Sequence, residues 1–249
     1  MSDGRRAECA AAAPHDSADF YGFLSLMSMD HLLQVGVIMS IEVEEFPDNE
    51  VSDYTSLRNE LRNGDVLICS GSGVFSSMIQ QATGSVWSHV GFILRLDSIG
   101  RIMLLESVEP IGVRTVRLSK YLDDYCNDGK PYPGGLAVIR NKEFTTIVDT
   151  EKVAQMAQYA IDLFGYPYDK DEIAKIAARI LASKVPFTDK QNKKIEPDRE
   201  FICSEYVAHC FKQVGLEIQW NGLGFVAPSD FALDPNFELI AVLKHKEKE

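Results

Sequence analysis

The sequence predicts an α+β protein, in which an antiparallel sheet or barrel of about five to six strands packs against helices. Short apolar runs separated by turn residues follow one another between residues 66 and 140. Longer segments with apolar residues at helical spacing lie before and after these runs. Strands that follow one another directly favour antiparallel pairing, whereas a doubly wound α/β sheet would alternate each strand with a helix.

Turn residues bound the predicted strands and helices. The turn at 63–65 precedes a short buried strand, and a second turn at 97–100 separates two strands of a hairpin. The predicted strands are 66–69, 88–96, 101–106, 113–118, 136–140 and 237–243. The predicted helices are 20–41 (or a helix followed by a strand), 75–82, 150–164, 171–183 and 201–215, and 188–199 and 225–230 are predicted loops. The apolar face of the 150–164 helix is expected to include Ile161.

Charge and cysteine content limit the class of protein. The 249-residue chain has a formal net charge of −12, which argues against nucleic-acid binding because that function needs a basic face. Its five cysteines are odd in number and lack metal-ligand spacing, so we expect free thiols, a reducing cytoplasmic location and neither metal nor cofactor.

We expect no secretory signal at the N-terminus, because no apolar core directly follows Arg5 and Arg6. Asp30 and His31 interrupt the apolar segment 20–41, which leaves no uncharged run of the roughly twenty residues that span a bilayer. We therefore expect no stable insertion into a membrane.

The segment 201–215 predicts one amphipathic helix with a cysteine near its N-terminus. Val207 and Phe211 follow Cys203 at helical spacing, which places the thiol on the side that faces the core, and Gly215 is a typical stop. Unpaired N–H groups and the positive end of the helix dipole favour the thiolate, which is the reactive form. The alternative is that Cys203 is a small buried apolar residue, as most cysteines are.

Of the five histidines, His89 is the candidate base for Cys203. It begins a predicted strand, and Gly91 on the same strand face leaves room beside the imidazole for a helix end or a substrate. The alternative is a strand histidine with a backbone partner.

Glu106 is the candidate third residue, because a Cys–His pair needs a group that orients the imidazole. If the hairpin turns tightly at 97–98, His89 lies directly opposite Glu106, within reach of a hydrogen bond. A longer turn through Gly100 would shift the register, and Glu109 would then compete.

Six short segments, taken in their order along the chain, resemble the motifs of a known family. They are Asn63-Gly64-Asp65-Val66-Leu67-Ile68, Trp87-Ser88-His89-Val90-Gly91, Leu105-Glu106-Ser107, Gly165-Tyr166-Pro167-Tyr168-Asp169, Ile202-Cys203-Ser204-Glu205 and Pro228-Ser229-Asp230. Together they resemble the circularly permuted NlpC-type cysteine peptidases, which are the YiiX-like relatives of the lecithin retinol acyltransferase family. The resemblance covers about residues 56–243, and the order of His, polar residue and Cys is the order of that family.

The resemblance implies a papain-like fold with the catalytic cysteine at the start of a helix. By carry-over, Cys203 is the nucleophile, His89 the general base and then acid, and Glu106 the orienting residue, in a thioester mechanism. The backbone N–H of Cys203 is a candidate oxyanion donor. Four further candidates for substrate or oxyanion contacts are Tyr168, Ser204, Asp65 and Trp87. A packed tyrosine remains the alternative at the first of these positions, and a turn-capping aspartate at the third.

The function expected from this resemblance is that of a cysteine peptidase or amidase acting on a small peptide or a peptidoglycan-like substrate. One alternative is an acyltransferase, thioesterase or esterase acting on a lipid, and another is a non-catalytic binding module that keeps the fold. The expected organisation is a disordered tail at 1–18, a helical extension at 19–55 and the catalytic domain at 56–249.

Overall fold

A computed structural model describes residues 50–169, 201–219 and 225–244 of the chain. The predicted tail at 1–18, the segment 20–41, the helix 171–183 and the loop 188–199 lie outside the described residues. None of the helices in the described ranges combines the length and the apolar character that crossing a membrane requires.

The described residues form short strands and α-helices of 4 to 13 residues. The strands are β1 (Val66–Ser70), β2 (His89–Leu96), β3 (Arg101–Val108), β4 (Gly112–Arg117), β5 (Gly135–Asn141) and β6 (Phe237–Lys244). The helices are α1 (Tyr54–Leu57), α2 (Val74–Thr83), α3 (Leu118–Asp123), α4 (Phe144–Ile147), α5 (Thr150–Asp162), α6 (Cys203–Lys212) and α7 (Pro228–Leu233).

The strands form one antiparallel sheet in the order β4-β3-β2-β1-β5-β6. The predicted α+β class and the antiparallel pairing are therefore confirmed. The sheet is not closed, since β4 and β6 lie at its two ends, so the barrel alternative is wrong.

Helices cover both faces of the sheet, which buries the central strand β1 along its whole length. On one face α5 and α6 pack against residues that include Ile68, Val90 and Phe92. On the other face α1 and α3 pack against residues that include Leu67 and Ile93. Neighbouring residues of a strand thus point to different helices, as the period of two requires.

The β2–β3 hairpin has a four-residue connection and not the tight turn at 97–98. Leu96 pairs with Arg101, and the short helical turn between them ends at Gly100, whose φ of +59° suits glycine. The register therefore follows the longer of the two predicted turns.

Two other local predictions need correction. The predicted loop 225–230 contains the start of α7, where Pro228 occupies the first turn and Asp230 accepts a hydrogen bond from the Ala227 N–H at 2.8 Å. Ile161, expected on the buried face of α5, is 48% exposed, whereas Met156 and Ala160 are buried.

The cysteines of the described residues are of two kinds. Cys69, Cys203 and Cys210 are buried free thiols, whereas Cys126 is disulfide-bonded. The expectation that all five cysteines are free is therefore wrong at Cys126. Cysteine content consequently no longer supports a reducing, cytoplasmic location.

Candidate active site

Cys203 is the first residue of α6, and two buried serines hold the segment around it. The Ser204 hydroxyl donates to the Val226 carbonyl at 2.6 Å, and the Ser107 hydroxyl of β3 donates to the Phe201 carbonyl at 2.7 Å. Helix α6 thus starts from a backbone that is anchored to the sheet on one side and to the 225–227 segment on the other. The Cys203 residue itself is 2% exposed.

His89 begins β2 and contacts the buried carboxylate of Glu106. Its Nε2 lies 2.8 Å from Glu106 Oε2, and the exposed fractions of the two side chains are 15% and 0%. Because Phe92 pairs with Leu105, the position directly opposite Glu106 is Gly91 and not His89. The imidazole and the carboxylate therefore meet diagonally across the hairpin, which a long glutamate side chain permits.

Gly91 allows β2 and β3 to lie close together, which is a different role from the one expected for this glycine. A Cβ at this position would lie 3.0 Å from both Leu104 Cδ1 and the Leu105 carbonyl oxygen. The space beside the glycine is therefore taken by β3 and not by a helix end or a substrate.

Glu106 receives hydrogen bonds from three elements of the fold. Arg114, directly opposite it on β4, donates from Nε to Oε1 at 3.0 Å. The hydroxyl of Tyr121 on α3 donates to Oε2, which His89 also contacts. The carboxylate is completely buried and is compensated by these donors, as a buried charge requires.

The electrostatics of the site favour a charged imidazole. Burial by itself lowers the pKa of His89, but the charge of Cys203, the hydrogen bond to Cys203 and the contact with Glu106 outweigh it and raise the pKa from 6.5 to about 10. Burial by itself raises the pKa of Glu106, and His89, Arg114 and Tyr121 reverse this effect and lower it.

His89 therefore interacts with both of the other candidate catalytic residues. Since Glu106 occupies Nε2, the ring nitrogen that remains for the Cys203 thiol is Nδ1. An Nε2–H donated to the carboxylate sets the orientation of the ring and leaves Nδ1 to exchange a proton with the thiol.

The structure separates the four further candidates. Ser204 is completely buried, and its hydroxyl binds the Val226 carbonyl, which gives it a structural role at the start of α6. Tyr168 is buried, and its pKa is raised well above the ordinary value by burial and by charges that include Cys203. It thus lies within electrostatic range of Cys203.

Asp65 and Trp87 lie in the protein core. Asp65 lies just before β1, at the end of the strand away from His89, because His89 pairs with Cys69 near the other end. Its carboxylate accepts two hydrogen bonds from Arg140 at 2.7 and 2.8 Å and one from the Arg62 N–H at 2.7 Å. This geometry matches the turn-capping alternative. Trp87 is 6% exposed and packs in the cluster beneath α6.

Arg114 and Tyr121 are the two residues of the site that the sequence did not single out. Arg114 could have been found by extending the hairpin pairing from β3 to β4, because it lies opposite Glu106. Tyr121 lies on α3, where Leu118, Tyr121 and Leu122 have helical spacing. That spacing marks a short helix after β4 but does not reveal the contact of Tyr121 with Glu106.

These elements define a class of fold: an open, six-stranded antiparallel sheet with a cysteine at the N-terminus of a helix packed on it. No family model and no curated protein matches the chain. A solved structure that shares this fold is the metalloprotein YiiX (DUF1105) from Escherichia coli O157:H7, with a TM-score of 0.50. The two chains are 18% identical, and the match covers 73% of this chain and 97% of YiiX.

Because YiiX is described as a metalloprotein, the donor groups of this chain need to be considered. Within residues 50–169, 201–219 and 225–244, no three His, Cys, Asp or Glu side chains converge in a way that could hold a metal ion. Glu106 is already bonded by His89, Arg114 and Tyr121. The described residues therefore do not match a metal-binding donor set.

Proposed function

We propose that the protein is a cysteine hydrolase of the permuted papain-like type that cleaves an amide bond in a small peptide or a peptidoglycan-like substrate. The supporting observation is the position of His89, which is bonded to the buried Glu106 at 2.8 Å and interacts with Cys203 at the start of α6. Nucleophile, base and orienting group thus lie in series, as covalent catalysis by a thiol requires.

The first half of the reaction acylates the enzyme. The Cys203 thiolate attacks the carbonyl carbon, which forms a C–S bond and moves an electron pair onto the carbonyl oxygen. When the tetrahedral intermediate collapses, the C–N bond breaks and His89 gives its Nδ1 proton to the departing amine. The acyl group then remains on Cys203 as a thioester.

The second half of the reaction releases the acid. Neutral His89 takes a proton from a water molecule as its oxygen attacks the thioester carbon. The C–S bond breaks, the carboxylic acid leaves, and the thiolate–imidazolium pair is restored. Throughout both halves Glu106 stays ionised and stabilises the imidazolium.

The start of α6 supplies a donor for the developing oxyanion. As the first helical residue, Cys203 has a backbone N–H that the helical hydrogen-bond ladder does not use. The positive end of the helix dipole favours negative charge at the same place. This N–H is our candidate oxyanion donor.

The test is the rate at which iodoacetamide labels each cysteine near neutral pH, measured by peptide mass spectrometry. Cys203 should react faster than Cys69 and Cys210, because burial raises the pKa of those two thiols. His89→Ala should slow the labelling of Cys203 by at least about tenfold, because the variant lacks the imidazole that activates the thiol. His209→Ala is the matched control, since this buried histidine lies on α6 and should leave the rate unchanged.

A second measurement separates an enzyme from a reactive thiol. With 4-nitrophenyl acetate the wild-type protein should form an acetyl adduct on Cys203 and then lose it by hydrolysis, and His89→Ala should do neither at a comparable rate. Equal labelling of Cys69, Cys203 and Cys210, or labelling of Cys203 that does not depend on His89, would contradict the proposed function.

A further inference from the structure

Glu106 is the buried anion at the centre of the site. The His89 imidazolium and Arg114 are the two cations beside it. Glu106 lies between the two cations, 2.8 Å from His89 Nε2 and 3.0 Å from Arg114 Nε. Buried charges of this kind are stable only when each is compensated, so the loss of one changes the protonation of the others.

We propose that Arg114 and Tyr121 are positioning residues of the catalytic site, which keep Glu106 ionised and oriented so that His89 can activate Cys203. This inference rests on the proposed function. It concerns residues that do not touch the nucleophile and act only through Glu106.

The geometry of the carboxylate supports the proposal. A glutamate side chain has several rotatable bonds, so a single contact with His89 would not determine the plane of its carboxylate. Arg114 holds Oε1, and Tyr121 donates to Oε2, the oxygen that also accepts from the imidazole. Because these two donors come from β4 and α3, the carboxylate is held from two separate elements, independently of His89.

The surroundings hold Tyr121 in place. Its ring centroid lies 4.8 Å from that of Tyr125 and 5.4 Å from that of Tyr132, and Tyr121 itself is 1% exposed. Burial and then the charge of Glu106 raise the pKa of Tyr121 well above its ordinary value, so the hydroxyl stays protonated and can only donate to the carboxylate.

The buried thiol and tyrosine hydroxyls that face the site stay neutral over the relevant pH range. Burial raises the pKa of each of them above its ordinary value; they are Cys69 on β1, Tyr125 and Tyr132 after β4, Tyr168 before α6 and Tyr206 on α6. The nearby carboxylates are Glu109, Asp169 and Glu205, which act on Tyr168. These carboxylates are the same in the wild type and in an Arg114 variant. A difference between the two pH profiles at moderately acidic pH would therefore report on the Glu106–His89–Cys203 series.

The test is the pH profile of Cys203 labelling by iodoacetamide, from about pH 4 to about pH 10. Arg114→Met removes the cation beside Glu106, so Glu106 takes up a proton at higher pH and no longer supports the imidazolium. The acidic limb of the profile should move up by about one to three pH units, and the rate should approach that of the wild type near pH 9. Arg114→Lys keeps a positive charge at this position and should return the acidic limb most of the way to its wild-type pH.

Tyr121→Phe removes a neutral donor and should move the same limb in the same direction by a smaller amount. Should Arg114→Met fail to fold, Tyr121→Phe decides the question by itself. The control is Arg140→Met, which breaks a similarly buried pair with Asp65 remote from the site, where the side chains are 12% and 1% exposed. It should lower stability without moving the limb.

The proposal is overturned if Arg114→Met slows labelling by the same factor at every pH, or if Arg140→Met moves the limb equally. These outcomes differ from a failure of the proposed function. In that case His89→Ala itself would leave the labelling of Cys203 unchanged.

Discussion

Replacing Glu106 by glutamine tests the centre of the site with the smallest change of shape. The carboxylate uses both oxygens, since Oε1 accepts from Arg114 and Oε2 accepts from His89 and Tyr121. A carboxamide has a single acceptor oxygen, so its NH₂ group must face either Arg114 or the His89–Tyr121 side. One side therefore loses its acceptor, and Arg114 becomes a buried cation without a counter-charge.

The expected magnitude follows from the His89 pKa. The rise from 6.5 to about 10 corresponds to about 5 kcal/mol in favour of the imidazolium, at about 1.4 kcal/mol for each pH unit. An anion in direct contact contributes about one to three of these pH units. Without it the charged ring is less stable, so the His89 pKa falls, and we expect Glu106→Gln to bring it to about 7–9.

The assay is an NMR titration of ¹⁵N-labelled histidine, with the His89 signal identified by its loss in His89→Ala. Urea unfolding of the same variant should show a loss of about 3–5 kcal/mol, because breaking one side of a buried ion pair leaves Arg114 uncompensated. The double variant Glu106→Gln/Arg114→Met should recover part of that loss. Glu106→Asp keeps the charge and is the control. A His89 pKa that is the same in Glu106→Gln as in the wild type would refute the reasoning.

Two further substitutions test how the site is built. Gly91→Ala places a Cβ 3.0 Å from Leu104 Cδ1 and should lower the free energy of unfolding in urea by about 1–3 kcal/mol. It should also slow Cys203 labelling, because β3 carries Glu106. An unchanged stability would show that the hairpin can adjust to the added methyl group. Ser204→Ala removes the hydroxyl that donates to the buried Val226 carbonyl and should lower the free energy of unfolding by about 1–3 kcal/mol, with Cys203 labelling preserved. Slower labelling in a stable variant would instead indicate a direct role for the serine.

The contact between His89 and Glu106 could be predicted only in part from the pattern of the hairpin. The two residues could be selected from their strands and from the apolar run before Glu106, but a direct pairing required the tight turn. The structure uses the longer turn that ends at Gly100, and the side chains meet diagonally. Turn length depends on how the whole hairpin packs, whereas the length of a glutamate side chain makes the contact tolerant of that difference.

Local patterns were most informative where a single element decides the outcome. The buried strand at β1 and the glycine after α6, with φ of +87°, follow from apolar runs and from backbone chemistry. The same reasoning was wrong at Ile161, because helical spacing identifies an apolar face but does not reveal where the neighbouring elements end. It also missed α3, where a short helix continues directly from a strand.

By itself the sequence determined the α+β class, the antiparallel sheet and the choice of Cys203 and His89 as candidates, since these depend on residue type and on periodicity along the chain. Only the tertiary structure decided that the sheet is open and that Arg114 and Tyr121 converge on Glu106. The physical reason is that a buried carboxylate takes its donors from whichever elements surround it. Those elements are brought together by the packing of β3, β4 and α3, and no spacing in the sequence records that packing.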